Sequence, residues 1–427
     1  MVRKGYKQTE VGEIPEDWDV KSVSDFVALL ESGVSVNSVE VGDISGSECI
    51  LKTSCVFKGE FKPEEAKAIA KRDIQRAKTT AKKNAIIVSR MNTPELVGEV
   101  GLVPDDFNNL FLPDRLWQTK YQRGVNVSPL WLSKCISYPP IAKKLKDNAT
   151  GTSNSMKNIS KNTFLELKVP APKYCEQERI GQALNDVDVL IKNLEELIAK
   201  KWDIKNAMMQ QLLTGKKRLP GFLGEWSKIS MEKDAELNAR IGWQALTTKE
   251  YLDSGDYFLV TGTDFIKGRI NWNSCHFVDE WRYSQDRKIQ LKEGDVLLTK
   301  DGTIGKVGYV DELSFPATLN SGVFVIRPRN DNFHPLFLFY ILMSRVFDDF
   351  LSKITAGSTI THLYQKDFVT FDFYAPYLDE QREISKVLFN IDKDIEAHET
   401  KLGKVRALKE GMMQELLTGR TRIVDEP

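Results

Sequence analysis

The sequence predicts an α+β protein in which two mixed α/β domains alternate with two long helices. The helices pair as an antiparallel coiled coil, and a pseudo-two-fold internal repeat relates the halves. Three observations predict this. A segment near the C-terminus copies one lying 204 residues upstream. Both copies carry apolar residues at heptad spacing, which on a helix makes a continuous seam. The stretches between them are short β-branched runs separated by turn residues.

The first stretch, residues 1–169, reads as mixed α/β. Strand-like runs fall at Ala85–Val88, Val100–Val103 and Leu167–Val169, and a helix is expected from Glu64 to Lys83. Its charge is uneven. Lys52 to Lys83 holds ten basic and four acidic residues, a net +6, and Lys134 to Lys173 holds eight lysines against Asp147 and Glu166, also +6. Such patches suit phosphate, or a solvated face.

Residues 170–216 form the first repeat. Glu176-Gln177-Glu178-Arg179-Ile180 aligns with Glu380-Gln381-Arg382-Glu383-Ile384. Met208-Met209-Gln210 aligns with Met412-Met413-Gln414, and Leu212-Leu213-Thr214-Gly215 with Leu416-Leu417-Thr418-Gly419. The seam runs through Ile180, Leu184, Val187, Ile191, Leu194 and Ile198, weakens at Lys201 and Lys205, and resumes at Met208 and Leu212. Pro172 precedes the helix and Gly215 follows it, where a start and a stop belong. About 40 residues at 1.5 Å each give about 60 Å of helix. Such a seam needs a partner, and the second copy supplies one.

Residues 217–373 repeat the mixed pattern, with runs at Tyr257–Val260, Val296–Thr299, Val307–Val310 and Val323–Ile326. Turns fall at Lys267-Gly268, Glu293-Gly294 and Asp301-Gly302, and a helical stretch at His334–Phe350. Echoes link the halves: Ala85–Arg90 with Asp295–Lys300, and Val100–Val103 with Val307–Val310. Residues 374–427 form the second helix, with nine basic and eleven acidic residues from Asp379 onward. His398 and Lys409 interrupt its seam, and His398 is expected to set register rather than bind metal.

Several classes are excluded. Lys plus Arg equals Asp plus Glu at 60 each, so the chain is neither a polycation nor an acidic tail. The longest apolar run, Leu336–Met343, is far too short to cross a bilayer. Five cysteines without a CxxC pair, and a polar N-terminus, suggest a reducing, cytoplasmic setting. Gly302-Thr303-Ile304-Gly305-Lys306-Val307 lacks the P-loop spacing and its Ser or Thr, and reads as a turn between strands. Pro113-Asp114 with Glu166-Leu167-Lys168 is too widely spaced to argue for a nuclease. Four histidines lie at no zinc spacing with cysteine. No nucleophile, base and orienter assemble, which favours binding over catalysis. Trp117, Trp243 and Trp272 are expected in cores.

The variable–helix–variable–helix order resembles the DNA specificity subunit of type I restriction-modification systems. Val11-Gly12-Glu13-Ile14-Pro15-Glu16-Asp17-Trp18, with Leu219-Pro220-Gly221-Phe222 and Gly224-Glu225-Trp226, is similar to the entries of that family's target-recognition domains. Thr299–Lys306 resembles a recurrent strand–turn–strand, and Gly151-Thr152-Ser153 and Gly357-Ser358-Thr359 resemble turns before the last strand. Pro172-x-x-x-Glu176-Gln177 and Pro376-x-x-x-Glu380-Gln381 look like the starts of its spacer helices. The first half departs, with Arg90-Met91-Asn92-Thr93-Pro94 in place of Asp-Gly-Thr-Ile-Gly and three added residues.

The resemblance implies that each domain reads one half of a bipartite double-stranded DNA target across a fixed gap. Two methyltransferase subunits would dock on the helices at Met208, Met209, Leu212, Met412, Met413 and Leu416. No cofactor belongs to this chain; S-adenosylmethionine, ATP and Mg would sit on the methyltransferase and restriction/translocase subunits. The expected DNA contacts are Ser89, Arg90 and Arg115 in the first domain, and Lys300, Thr303 and Lys306 in the second. The competing expectation is a coiled-coil scaffold that binds protein and not DNA.

Overall fold

The computed structural model describes residues 2–40, 46–153, 155–241, 246–355 and 362–423. The chain divides into two compact units: Met1–Glu195 with Thr400–Pro427, and Glu196–Glu399. Trp243 and the Gly357-Ser358-Thr359 turn lie outside the described residues.

In unit 1, the strands that position the surface of interest are β1 (Val27–Ser32), β2 (Ile86–Ser89), β3 (Met91–Asn92), β4 (Val100–Leu102), β5 (Leu116–Tyr121) and β6 (Met156–Asn158). Four of them form an antiparallel sheet in the order β4-β2-β5-β1. The run Ile86-Ile87-Val88-Ser89 is buried throughout because β2 lies inside the sheet with both faces covered. A second sheet of short strands includes Cys49–Leu51 and Ala66–Ile69. Helices α1 (Pro129–Ser137) and α2 (Pro139–Asp147) follow, each opened by proline at its first turn, where the missing N–H costs nothing.

Unit 2 repeats this plan with β7 (Ala235–Ala239), β8 (Phe265–Ile266), β9 (Arg269–Ile270), β10 (Val296–Thr299), β11 (Val307–Tyr309) and β12 (Val323–Pro328). The order β11-β10-β12-β7 matches β4-β2-β5-β1 strand for strand, and β9 and β8 extend it beyond β11. The hairpin joining β8 and β9 turns at Lys267 (φ 51°) and Gly268 (φ 81°). Unit 1 has the same turn at Lys58 (φ 48°) and Gly59 (φ 85°). Two successive positive φ angles are the geometry of a tight hairpin turn that matches strand twist.

The expected helix from Glu64 to Lys83 does not form. Ala66–Ile69 is a strand paired with Cys49–Leu51, and Lys71–Arg76 is a short 3-10 turn. Ala66 and Ile69 are buried against the sheet. Pairing with a neighbouring strand overrides a weak local preference for helix.

Two long helices close the cores: α3 (Tyr174–Leu212) and, after α4 (Pro335–Leu342) and α5 (Arg345–Thr355), α6 (Leu378–Leu417). Each unit takes the start of one and the end of the other. The unit 1 core holds Ile180 and Leu184 of α3 with Met413, Leu416 and Leu417 of α6, packed around Trp18, Trp131 and Phe164. The unit 2 core holds Ile384 and Leu388 of α6 with Met209, Leu212 and Leu213 of α3. This corrects the expected partner-docking set. Met209, Leu212, Met413 and Leu416 are buried in the chain's own cores, and Met208 and Met412 pack against them half-buried.

The pairing is antiparallel in both units. In unit 1, Glu195 meets Arg406 and Asp188 meets Lys409, at 2.5 Å each. In unit 2, Lys201 meets Asp394, and Lys205 meets Asp392 at 2.5 Å. The polar breaks at Lys201, Lys205 and Lys409 are therefore interhelical ion pairs. His398 differs: its Nδ1 is 2.6 Å from the Asp394 carbonyl, a contact within its own helix and not across the seam.

Equivalent contacts recur in the two units, with the helix residues that make them at the 204-residue offset. Asp188 also binds Lys134 of α1, and Asp392 accepts from the Tyr340 hydroxyl of α4 at 2.7 Å. Gln177 donates to the Pro172 carbonyl at 2.9 Å and accepts from Ser128 N at the start of α1. Gln381 does the same with Pro376, 2.8 Å, and His334 N at the start of α4. Arg422 bridges Glu176 and Asp17, while Trp18 Nε1 donates to Glu176 at 3.1 Å. Arg218 holds Glu380 in unit 2 and lies over the Trp226 ring. The motif Pro-x-x-x-Glu-Gln is thus a fastening: Glu takes the arginine that follows the other helix, and Gln ties the helix start to the domain. Buried Glu176 and Glu380 are tolerable only because each is paired and hydrogen-bonded.

Candidate nucleic-acid interface

In each unit, the turn that follows the central strand lies against an edge segment arriving from just before the long helix. In unit 2, β10 ends at Thr299. Its hydroxyl donates to the Thr303 carbonyl at 2.5 Å and accepts from Lys306 N at 2.9 Å, folding residues 299–306 into a compact turn. Gly302 (φ 71°) and Gly305 (φ 83°) take left-handed conformations, and a Cβ on Gly305 would lie 2.6 Å from Leu351. Leu363 N donates to the Lys300 carbonyl at 2.7 Å, and Asp301 bridges to His362.

Lys300, Thr303 and Lys306 share this turn. Thr303 and Lys306 are exposed. The Lys300 ammonium lies 3.4 Å from Asp301 and 5.7 Å from the centre of the Phe324 ring. Beside it, His362 Nδ1 lies 2.6 Å from Asp301 Oδ1, with the imidazole about half exposed at 52%. Lys300, Asp301 and His362 line an open cavity of about 690 Å³ with Asn238, Arg240, Lys288 and Tyr364. Arg240 is 2% exposed, and its partners are neutral: the Leu319 carbonyl at 2.8 Å, Thr318 Oγ1 at 3.2 Å and Gln285. Burial is the main force pulling its pKa down. The cavity lining holds three cations, Arg240, Lys288 and Lys300, against two acids, Asp286 and Asp301.

Unit 1 builds the same frame with other side chains. Ser89 N bonds Glu99 O, and Gly98 N bonds Ser89 O, closing a turn longer than its counterpart. β3 pairs with β6, Met91 opposite Asn158, and Ile159 N donates to Arg90 O at 2.9 Å. Arg90 therefore stands where Lys300 stands, Met91 where Asp301 stands, and Asn158 where His362 stands. Asn158 and His362 are themselves 204 residues apart.

The unit 1 candidates do not act alike. Ser89 is fully buried and its hydroxyl accepts from Asn92 Nδ2 at 3.1 Å, so it shapes the turn and does not face solvent. This corrects its expected role as a contact. Arg90 donates to the Asp114 carbonyl at 2.7 Å and lies over the Trp117 ring, leaving its fork partly committed. Arg115 is exposed on the rim of a cavity of about 430 Å³, together with Lys52 and Lys67.

The basic surplus is reduced by local partners. Lys52 and Lys67 pair with Glu40 at 3.4 and 2.9 Å. Six of the eight lysines between Lys134 and Lys173 bind protein groups: Lys134, Lys144, Lys146, Lys157, Lys161 and Lys168. That stretch serves the fold. Exposed Lys58, Lys71, Arg72, Lys78 and Lys82 keep the first patch cationic.

Sequence reading missed Asp301, His362, Asn158 and Arg240. Only the 204-residue offset, carried upstream of the helix, links Asn158 with His362. Trp117 is buried in the unit 1 core, and Trp272 packs against a core in unit 2. Among the described residues, no group of His, Cys, Asp and Glu is arranged to hold a metal ion, and no helix is long and apolar enough to cross a membrane.

Comparison with known proteins agrees with this architecture. Residues 240–407 match the model of the Type I restriction modification DNA specificity domain. The Type I restriction enzyme MjaVIII specificity subunit of Methanocaldococcus jannaschii is 24% identical over 440 residues, covering 98% of this chain and 96% of its own. The putative type I restriction enzyme MjaX specificity subunit of the same organism is also 24% identical, over 98% of this chain and 97% of its own. The crystal structure of the type I restriction-modification S subunit from M. genitalium superposes with a TM-score of 0.64 at 15% identity, covering 96% of this chain and 97% of that one.

Proposed function

We propose that this chain is a type I restriction-modification specificity subunit and selects the DNA on which partner subunits act, a reading supported by the family match over residues 240–407 and the full-length similarity to specificity subunits. Each unit reads one half of a bipartite target, and the long helices fix the number of unread bases between the halves. The chain performs no catalysis of its own. Methyltransferase and restriction subunits supply S-adenosylmethionine, ATP, Mg and the chemistry.

The observation that carries this reading is the duplicated turn and edge. Two domains share one backbone frame and present different side chains on it, which suits two readers of different sequences. In unit 2 the turn presents Lys300, Thr303 and Lys306 to DNA; in unit 1 Arg90 and Arg115 take that place. Lysine and arginine hold phosphate or read guanine in the major groove, and hydroxyls serve either purpose. A formal net charge of zero is compatible with this, because the surplus cations lie in the Lys52–Lys83 stretch of the first domain while the last helix is slightly acidic.

The test is co-expression with the adenine methyltransferase subunit it serves, followed by mapping methylated adenines in the host DNA. Two short half-sites at one fixed spacing are expected. A stable complex that leaves DNA unmethylated, with no sequence-specific DNA binding, refutes the reading and favours a protein-binding scaffold.

A further inference from the structure

Within a shared backbone frame, the two units differ at one pair of facing positions. In unit 2 they hold Asp301 and His362, which form a hydrogen bond of 2.6 Å at the mouth of a cavity. In unit 1 they hold Met91 and Asn158, which face each other across β3 and β6. Among the described residues, Asn158 Oδ1 has no hydrogen-bond partner, and the facing Met91 has no donor to offer it. The surrounding backbone is the same: Leu363 N to Lys300 O in one unit, Ile159 N to Arg90 O in the other. A shared scaffold with contrasting polar groups at one spot is what two readers with different targets require.

We infer that this facing pair determines the base specificity of each unit: Asp301 orients His362 to read a base edge in one half-site, and Asn158 reads the matching position of the other. The inference rests on the DNA-recognition reading above and deepens it. Asp301 occupies the imidazole Nδ1, so Nε2 is the ring nitrogen left to meet a ligand, in an orientation the carboxylate fixes. His362 is therefore the reading residue and Asp301 a positioning residue. Lys300, on the same turn, adds an ammonium that pairs with the acceptor edge of guanine. Asn158 carries the donor and acceptor of an amide, the combination that matches adenine in the major groove. Its carbonyl, without a partner among the described residues, gains one when β3 and β6 shift to admit a base. An unmet buried acceptor is costly enough to favour that exchange.

The experiment uses the full chain in complex with its methyltransferase subunit, comparing methylated motifs of wild type, His362→Asn, Asp301→Asn and Asn158→His. For His362→Asn, discrimination at one base position of one half-site should fall or switch, by about 5- to 150-fold, the range of a single base-edge contact. The other half-site and the gap should stay as in wild type. Asp301→Asn keeps a hydrogen-bonding side chain in place of the carboxylate and should relax the same position more weakly. Asn158→His should alter the other half-site only. Motifs unchanged in all three variants, or changed in both halves at once, overturn the inference while leaving the DNA reading intact. If His362→Asn fails to fold, Asn158→His decides by the same criterion. A wild-type complex without a split motif overturns the DNA reading, and this inference with it.

Discussion

Replacing Asp392 with alanine tests how the helix pair is held in unit 2. Asp392 receives Lys205 at 2.5 Å and the Tyr340 hydroxyl at 2.7 Å. The Lys205 side chain is 5% exposed, and its ammonium lies 4.9 Å from the centre of the Trp202 ring. Burial, followed by the adjacent carboxylate, pushes the Tyr340 phenol well above its ordinary range, so it remains a donor. Asp392→Ala leaves a buried ammonium without its counter-ion and a buried hydroxyl without its acceptor. Losing one member of a buried pair costs about 3–5 kcal/mol. Asp394→Ala is the control. It removes the same kind of interhelical contact, to Lys201, but its carboxylate is 46% exposed and screened by water, so the loss is about 0.5 kcal/mol. Adding Lys205→Met to Asp392→Ala removes the orphaned charge and should restore most of the stability. Urea unfolding gives the free energies, and hydrogen exchange across Leu378–Glu399 and Glu196–Leu212 shows whether the opening is local to the pair. A loss below 1 kcal/mol for Asp392→Ala, or no recovery in the double variant, would refute the account.

Four further outcomes are expected. Arg422→Ala should destabilise unit 1 by about 3 kcal/mol, because Glu176, 3% exposed, loses its cation; thermal unfolding checks this. The same arginine, chiefly through its hydrogen bond, holds the Asp17 carboxyl below its usual range. That contribution is complete above the unfolded carboxylate pKa of about 3.9 and disappears as pH falls through the lower folded value. Glu250, pulled down to about 2 mainly by the Thr247 backbone N–H and then by Arg282, follows the same sign, so its turn should loosen between about pH 4.3 and 2, read by hydrogen exchange over residues 247–251. Gly419→Ala should cost at least 1–2 kcal/mol, since Gly419 has φ 71° and a Cβ there would lie 2.5 Å from Pro15; the melting temperature reports it. Arg115→Ala should weaken DNA binding evenly across sequences and flatten the salt dependence of log K by about one unit if it holds a phosphate, measured by titration at several salt concentrations.

The 204-residue repeat determined the duplicated plan, because an apolar seam at heptad spacing has one stable use. Pro172 and Pro376 marked where the helices could start, and Gly215 and Gly419 where they stop. The strands of the central sheets were legible for a similar reason: Ile86–Ser89 and Val296–Thr299 are apolar runs too short for buried helices and are flanked by turn residues. Segment 64–83 was not legible, since its partner strand, Cys49–Leu51, is fixed by the sheet and not by its own composition.

The candidate interface divides the same way. A polar turn with two glycines announced Thr299–Lys306, but Ser89 was indistinguishable in sequence from an exposed serine until the fold buried it. Met209, Leu212, Met413 and Leu416 were recognisable as a helix face, yet only packing could say whether that face meets a partner or the chain's own core. Asp301 and His362 lie 61 residues apart and Met91 and Asn158 lie 67 apart, so no local pattern could join either pair. Sequence periodicity sets which face of an element is apolar; what that face, or a polar side chain at its edge, finally touches is decided by elements distant in the chain, and only the tertiary structure brings those together.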